Sequence, residues 1–109
     1  MANTYKNSAV KLSTTNETTA YAGVSNGTSV VRSIYVSNTH GSTASTIDVY
    51  WNDSTDNEDY YIVKNVSVSS ATAFQPLTEP LILEAGDSIR VKAGTANILE
   101  VTVSVLEVT

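Results

Sequence analysis

Apolar residues in this chain recur mainly at every second position, the period of a strand with one face in a core and the other in solvent. From Leu99 to Val105 every odd position is apolar (Leu99, Val101, Val103, Val105), with Glu100, Thr102 and Ser104 between them. Ile47, Val49 and Trp51 alternate with Asp48 and Tyr50 in the same way, which places Trp51 in the core and Tyr50 outside. Val30 to Ser37 is a third strand, with Val30, Ile34 and Val36 on one face and Val31, Ser33, Tyr35 and Ser37 on the other. Arg32 falls on its apolar parity, which suits an edge. Between Tyr60 and Val68 the parity changes, since Tyr61 and Val63 alternate on one side and Val66 and Val68 on the other. An unpaired extra residue shifts every later side chain across a sheet, so a β-bulge is predicted near Lys64 and Asn65.

Turn residues divide these runs. Leu81 and Leu83, then Ile89 and Val91, flank Glu84-Ala85-Gly86-Asp87, whose third position suits the positive φ of a type II turn. The expectation is a hairpin over residues 81–91. Asn26-Gly27 marks another turn, because both residues tolerate positive φ. The polar loop 38–45 should join the third strand to Thr46–Trp51 as a hairpin, and residues 93–97 should join the last strand to its predecessor. Pro76 and Pro80 remove ladder donors, so residues 74–83 should run along an edge or cross between sheets. No window carries a sustained 3.6-residue period. The pattern predicts an all-β chain: a single antiparallel β-sandwich or jelly-roll-like barrel of about seven to eight short strands.

Residues 1–29 contain few large apolar side chains. Short strands fit around residues 9–13 and 18–22, where threonine and tyrosine favour a pleated surface. Residues 1–17 read as an N-terminal arm whose anchors, Tyr5, Val10 and Leu12, bury too little to offset the cost of ordering it, which assigns them to contacts with a neighbouring subunit. The β domain proper is then 18–109. Tyr5, Val10, Leu12, Tyr35 and Tyr50 are the interface candidates.

Composition excludes several functions. The 109 residues are 41% hydrophobic and 16% charged, a folded rather than disordered balance. A net charge of −5 with only six scattered cations opposes nucleic-acid binding, which needs clustered lysine and arginine to neutralise phosphate. Cysteine is absent, so neither a disulfide nor a thiolate metal site exists. The N-terminus shows no apolar signal region, and no run approaches the roughly 18 apolar residues a membrane-spanning helix needs, so no membrane partner is expected. The N-x-[ST] triplets at Asn16, Asn26, Asn52 and Asn65 arise by chance in so hydroxyl-rich a chain.

No motif demands a cofactor, and an enzyme is not expected. His40 is the only histidine, set in a turn without a nucleophile elbow, which favours a turn role over a catalytic base. Asp53, Asp56, Glu58 and Asp59 could supply oxygen ligands to Ca²⁺, but they lack the EF-hand order and read first as a solvated loop tip. Four acids in one loop also lack the rigid, cleft-spanning pair that glycoside hydrolysis requires. Tyr50, Trp51, Tyr60 and Tyr61 bracket this loop as a possible sugar platform, with Tyr50 the exposed member.

The succession Val31 to Thr39, Ser45 to Trp51, Tyr60 to Val63, Pro80 to Ala93 and Val101 to Val108 resembles small β-sandwich structural proteins of tailed-bacteriophage virions, over about residues 20–109. The shared pattern is a strand ending in an Asn-Thr turn, a tyrosine-containing strand, a Leu-x-x-Gly-Asp-x-Ile segment and a valine-rich terminal strand. The resemblance implies a virion component made in the host cytoplasm: a capsid decoration (cement) protein first, or a head-tail joining, neck or tail accessory protein. It also implies that the chain's partners are itself, as a homo-oligomer with a trimer favoured, and major capsid or neck proteins. A carbohydrate- or calcium-binding module is the alternative resting on residues 50–61 alone.

Overall fold

The computed structural model describes residues 2–109, and its described residues form nine strands and no helix. These are β1 (Asn3–Lys11), β2 (Thr18–Ala22), β3 (Thr28–Asn38), β4 (Ser45–Asp53), β5 (Glu58–Val68), β6 (Ala73–Phe74), β7 (Leu81–Leu83), β8 (Ser88–Ala93) and β9 (Leu99–Val108). Sheet I has the order β1-β9-β3-β6, with β7 also paired to β3; sheet II has the order β2-β8-β4-β5. The pairing is nested: β1 with β9, β2 with β8, β3 with β6 and β7, and β4 with β5, all antiparallel. A long hairpin folded over into two facing sheets produces this order, the jelly-roll form of the β-sandwich.

Nesting corrects three sequence expectations. β3 and β4 lie in different sheets, as do β7 and β8, and β8 and β9, so loops 39–44, 84–87 and 94–98 are corners between sheets. Tight local turns favour hairpins, but here long-range pairing of β3 and β8 with other strands decides which sheet each joins. Among the described residues, only β4–β5 is a local hairpin.

The inner faces supply the core: Val31, Ile34, Ile47, Val49, Leu83, Ile89, Val91, Val101, Val103 and Val105 are all buried. β3 reaches it by a bulge. Val31 pairs with Val105 and Ser33 with Ser104, leaving Arg32 extra on β3. Val31, Ile34 and Val36 therefore share the core face, which corrects the uniform alternation read from the sequence. The bulge at Lys64 and Asn65 is present, since Ile47 pairs with Val66 but Val49 pairs with Val63. Asn65 has φ 57°, and its N–H donates to Asp48 Oδ1 at 2.6 Å. A second register shift follows at Ile62, and together they return Val63, Val66 and Val68 to the core side.

Residues 3–11 are a strand rather than a free arm. β1 pairs along its whole length with β9, from Asn3 opposite Val108 to Lys11 opposite Glu100. Backbone hydrogen bonding supplies the anchoring that its small polar side chains lack. Leu12, beyond the strand, is 2% exposed and belongs to the core. The boundary expected at residue 17 is thus crossed by the fold.

Gly86 has φ 84° and Asp87 N–H donates to the Glu84 carbonyl, so the type II turn read from the sequence stands, at a corner instead of a hairpin. Gly86→Val should cost about 1–3 kcal/mol, because a β-branched residue is disfavoured at positive φ; chemical denaturation reads the loss, and unchanged stability would contradict the turn. Gly27 is required for a different reason than expected. It does not adopt positive φ; a Cβ there would collide with the Val108 carbonyl.

Candidate interaction surfaces

The outer face of sheet I carries a row of apolar side chains. Register puts Tyr5 opposite Leu106, Leu106 opposite Val30, and Val30 opposite Ile82. Their sequence neighbours Val31, Leu83 and Val105 are core residues, so pleating turns this row outward. Tyr5 is 69% and Ile82 55% exposed, with Val30 and Leu106 half-buried between them. The Arg32 guanidinium lies 5.6 Å from the centre of the Tyr5 ring, a cation–π geometry, and is placed there by the β3 bulge. One row on, Ser104 Oγ donates to Asn7 Oδ1 at 2.5 Å; the next holds Tyr35, Thr102 and Ala9, with Tyr35 exposed.

Of the five interface candidates, Tyr5 and Tyr35 share this face. Val10 packs half-buried against the core, and Leu12 lies inside it. Tyr50 is on sheet II and is 3% exposed, contrary to the alternation-based expectation. It does point outward, but it is covered. Tyr61, directly opposite on β5, brings its ring to 4.8 Å, and the Tyr50 hydroxyl donates to Glu17 Oε1 at 2.5 Å. Arg90 Nη1 reaches the same carboxylate at 3.4 Å, and Lys64 Nζ stands 4.9 Å from the Tyr61 ring centre. Glu17 escaped the sequence reading because a loop residue carries no periodic signal. Burial, then the Glu17 hydrogen bond, pushes the Tyr50 phenol well above its ordinary value.

A second buried phenol ties the sheets together. Tyr21 Oη donates to Glu107 Oε2 at 2.6 Å and lies 2.8 Å from Ser29 Oγ, while Lys6 Nζ is 3.6 Å from the same carboxylate oxygen. Burial first, and the Glu107 hydrogen bond second, raise the Tyr21 pKa from 10.0 to about 12. Its proton is held more tightly folded than unfolded. The resulting stabilisation is complete below pH 10 and is lost as pH rises through about 12. Alkaline unfolding should therefore steepen across that window, and Tyr21→Phe should flatten it; phenolate absorbance recorded with circular dichroism makes the test.

The acidic tip joins β4 to β5. Asp53 Oδ1 accepts from Thr55 N, Asp56 Oδ1 from Glu58 N, Asp56 Oδ2 from the Tyr60 hydroxyl, and Asp59 Oδ1 from Asn52 Nδ2. Three of the four candidate carboxylates, Asp53, Asp56 and Asp59, thus shape the turn. Among the described residues no group of three His, Asp or Glu side chains is arranged to hold a metal ion. Replacing Asp53, Asp56, Glu58 and Asp59 together by Asn or Gln should move stability by no more than about 1 kcal/mol, because exposed charges interact weakly in water. A melting temperature that rises strongly with Ca²⁺ in the parent, and not in the variant, would contradict this. Trp51 packs against the core and stacks on Tyr60 at 5.1 Å, so of the aromatic bracket only Tyr60 and Tyr61 are exposed.

His40 organises its loop. Its Nδ1 accepts from Ser42 N at 3.1 Å and Thr43 N at 3.0 Å. Buried Asn38 accepts the His40 N–H and donates to the Thr43 and Val68 carbonyls, which explains the Asn-Thr turn in the sequence pattern.

No family model matches the chain, and no curated protein matches it. Solved structures do. A chain of the acid-stable capsid of a Helicobacter pylori bacteriophage matches with TM-score 0.60 at 11% identity, over 99% of this chain and 89% of that one. A protein of Bacillus endospore appendages, described as disulfide-linked pili, matches with TM-score 0.56 at 13% identity, over 96% and 87%. At such identities the likeness establishes the fold. Both neighbours are structural proteins of assemblies; disulfide linkage has no counterpart in this chain, which has no cysteine.

Proposed function

We propose that this chain is a structural subunit that acts by assembly, most specifically a capsid decoration protein of a bacteriophage virion. The apolar row across sheet I, from Tyr5 to Ile82, carries the proposal: a row of apolar side chains, exposed at both ends and half-buried between them, on an otherwise hydroxyl-rich surface marks a place of association. Likeness in fold to a phage capsid chain over nearly the whole chain supports a virion role, and the comparable likeness to an endospore-appendage protein supports assembly more generally. Self-association and attachment to a major capsid protein are the partners this reading implies, with a trimer the first arrangement to test. Head-tail joining is the second placement within the same reading.

The test is to find the chain in purified virions by mass spectrometry, count its copies, and locate it by cryo-electron microscopy. Many copies spread over the head support decoration; a few copies at one vertex support the neck. Absence from virions overturns both.

A further inference from the structure

A β-sandwich has four strand edges, each a row of unpaired N–H and C=O groups that invites another strand, and proteins blunt the edges they do not use. Three are blunted here. β2 has five residues interrupted by a register shift. The β6–β7 edge is two short strands separated by a segment holding Pro76 and Pro80. β5 is long, but it carries two register shifts, Asn65 at positive φ and Lys64 at the bulge. β1 alone is long and regular: nine residues pair with β9 without a shift, and it contains neither proline nor glycine.

The open side of β1 can be identified. Ala2 and Thr109 exchange both backbone hydrogen bonds, and Leu12 N–H donates to the Leu99 carbonyl, so the even-numbered residues bond inward to β9. The N–H and C=O groups of Asn3, Tyr5, Asn7, Ala9 and Lys11 consequently face away from the sheet, and among the described residues no strand lies beyond them.

We propose that this edge pairs antiparallel with β1 of a second copy of the chain, about a twofold axis at Asn7, joining two copies of sheet I into one continuous sheet. This rests on the reading above that the chain acts by assembly, and names the partner and the surface; the contact is a twofold dimer, in place of the trimer the resemblance implies. The strand is self-complementary in that register. Tyr5 stands opposite the small Ala9 of the second copy, Lys6 opposite Ser8, and Lys11 opposite Asn3, so no lysine faces a lysine. A slip of one residue would place the inward-bonded groups of one strand against the open groups of the other. The slip that centres the axis on Lys6 would set like charges face to face, which is destabilising. The same arrangement makes the Tyr5 ends of the two apolar rows part of one outer face.

Hydrogen exchange with sedimentation velocity on the full chain tests it. As concentration rises, amide protection of Tyr5, Asn7, Ala9 and Lys11 should appear together with a dimer, whereas the even-numbered amides are protected throughout. Asn7→Lys and Asn7→Glu should each weaken self-association about fivefold or more, since each sets like charges across the axis; mixing the two variants should restore it. Ala9→Pro should abolish pairing by removing an open donor, with even-numbered protection retained as the check that β1 remains folded. Association that persists in Ala9→Pro and in Asn7→Lys overturns the edge and leaves the assembly reading standing. Odd-numbered protection that arises only on virions, with the free chain monomeric, overturns the second copy as occupant in favour of a capsid strand. A chain that is monomeric at every concentration, unprotected at these amides and absent from virions overturns both.

Discussion

Deleting residues 2–17 is expected to destroy the fold, and the loss should be visible as aggregation at room temperature. The deletion removes all of β1, and with it the ladder along one side of β9, whose ten residues would become an open, valine-rich edge. Such an edge is a template for aggregation. Leu12 leaves the core at the same time, and a buried leucine lost to alanine alone costs about 2–5 kcal/mol. Three further ties go with it: Ser8 Oγ to the Ala20 carbonyl, Lys6 to Glu107, and Glu17 over Tyr50 and Arg90. Against a typical total stability of about 5–15 kcal/mol, this sum leaves little or nothing. Thermal melting with light scattering measures it, and Leu12→Ala serves as the comparison that keeps β1 in place. A truncated chain that stays monomeric and melts within a few degrees of the parent would restore the arm suggested by composition.

That outcome bears on what a sequence of this kind reveals. Strand identity was legible where side chains alternate between core and solvent, as in β9, and the bulge in β5 was legible because Val63 and Val66 cannot both face the core without it. Arg32 concealed its own bulge. It looks like an edge residue interrupting an otherwise regular alternation, and only pairing with β9 shows that it stands outside the register. β1 was illegible for a related reason: its stability resides in backbone bonds to residues almost a hundred positions away, which leave no hydrophobic period. Sheet membership was hidden throughout, because corners and hairpins use the same turn residues. The interaction surface was half visible. Tyr5 and Tyr35 stand out as exposed aromatics, but their common face, and the approach of Glu17 to Tyr50, exist only once segments distant in the sequence are brought side by side, while Tyr61 covers Tyr50 across the local β4–β5 hairpin.

Asp87→Ala should be among the most destabilising single changes available outside the apolar core. Asp87 is 1% exposed, yet it is a carboxylate, and a buried carboxylate persists only where hydrogen bonds replace its water. Here Oδ1 accepts from Ser54 N at 3.0 Å and lies 3.1 Å from Ser54 Oγ, while Oδ2 accepts from Glu84 N at 2.9 Å. The residue's carbonyl accepts from Gly23 N at 2.8 Å, and the neighbouring Gly86 N–H donates to the Val24 carbonyl. One side chain and its backbone thus fasten the β2–β3 connection, the β4–β5 tip and the corner where the chain passes from sheet I to sheet II. Truncation to alanine takes the charged acceptor from the Ser54 and Glu84 N–H groups; both residues are exposed, so water recovers part of the loss, and a hydrogen bond to a charged group is worth about 1.5–3 kcal/mol. A total near 3 kcal/mol or more should lower the melting temperature by roughly 10 °C or more in a domain of this size. Asp87→Asn should recover little of this despite its matching shape, since its amide nitrogen must face one of the two N–H donors. Ser54→Ala removes only the hydroxyl, which also donates to the Ala85 carbonyl, and should cost about 1 kcal/mol. The order of the three melting temperatures is the measurement: an asparagine variant as stable as the parent would mean that the charge is unnecessary, and an alanine variant no worse than Ser54→Ala would mean that the three loops hold without the carboxylate.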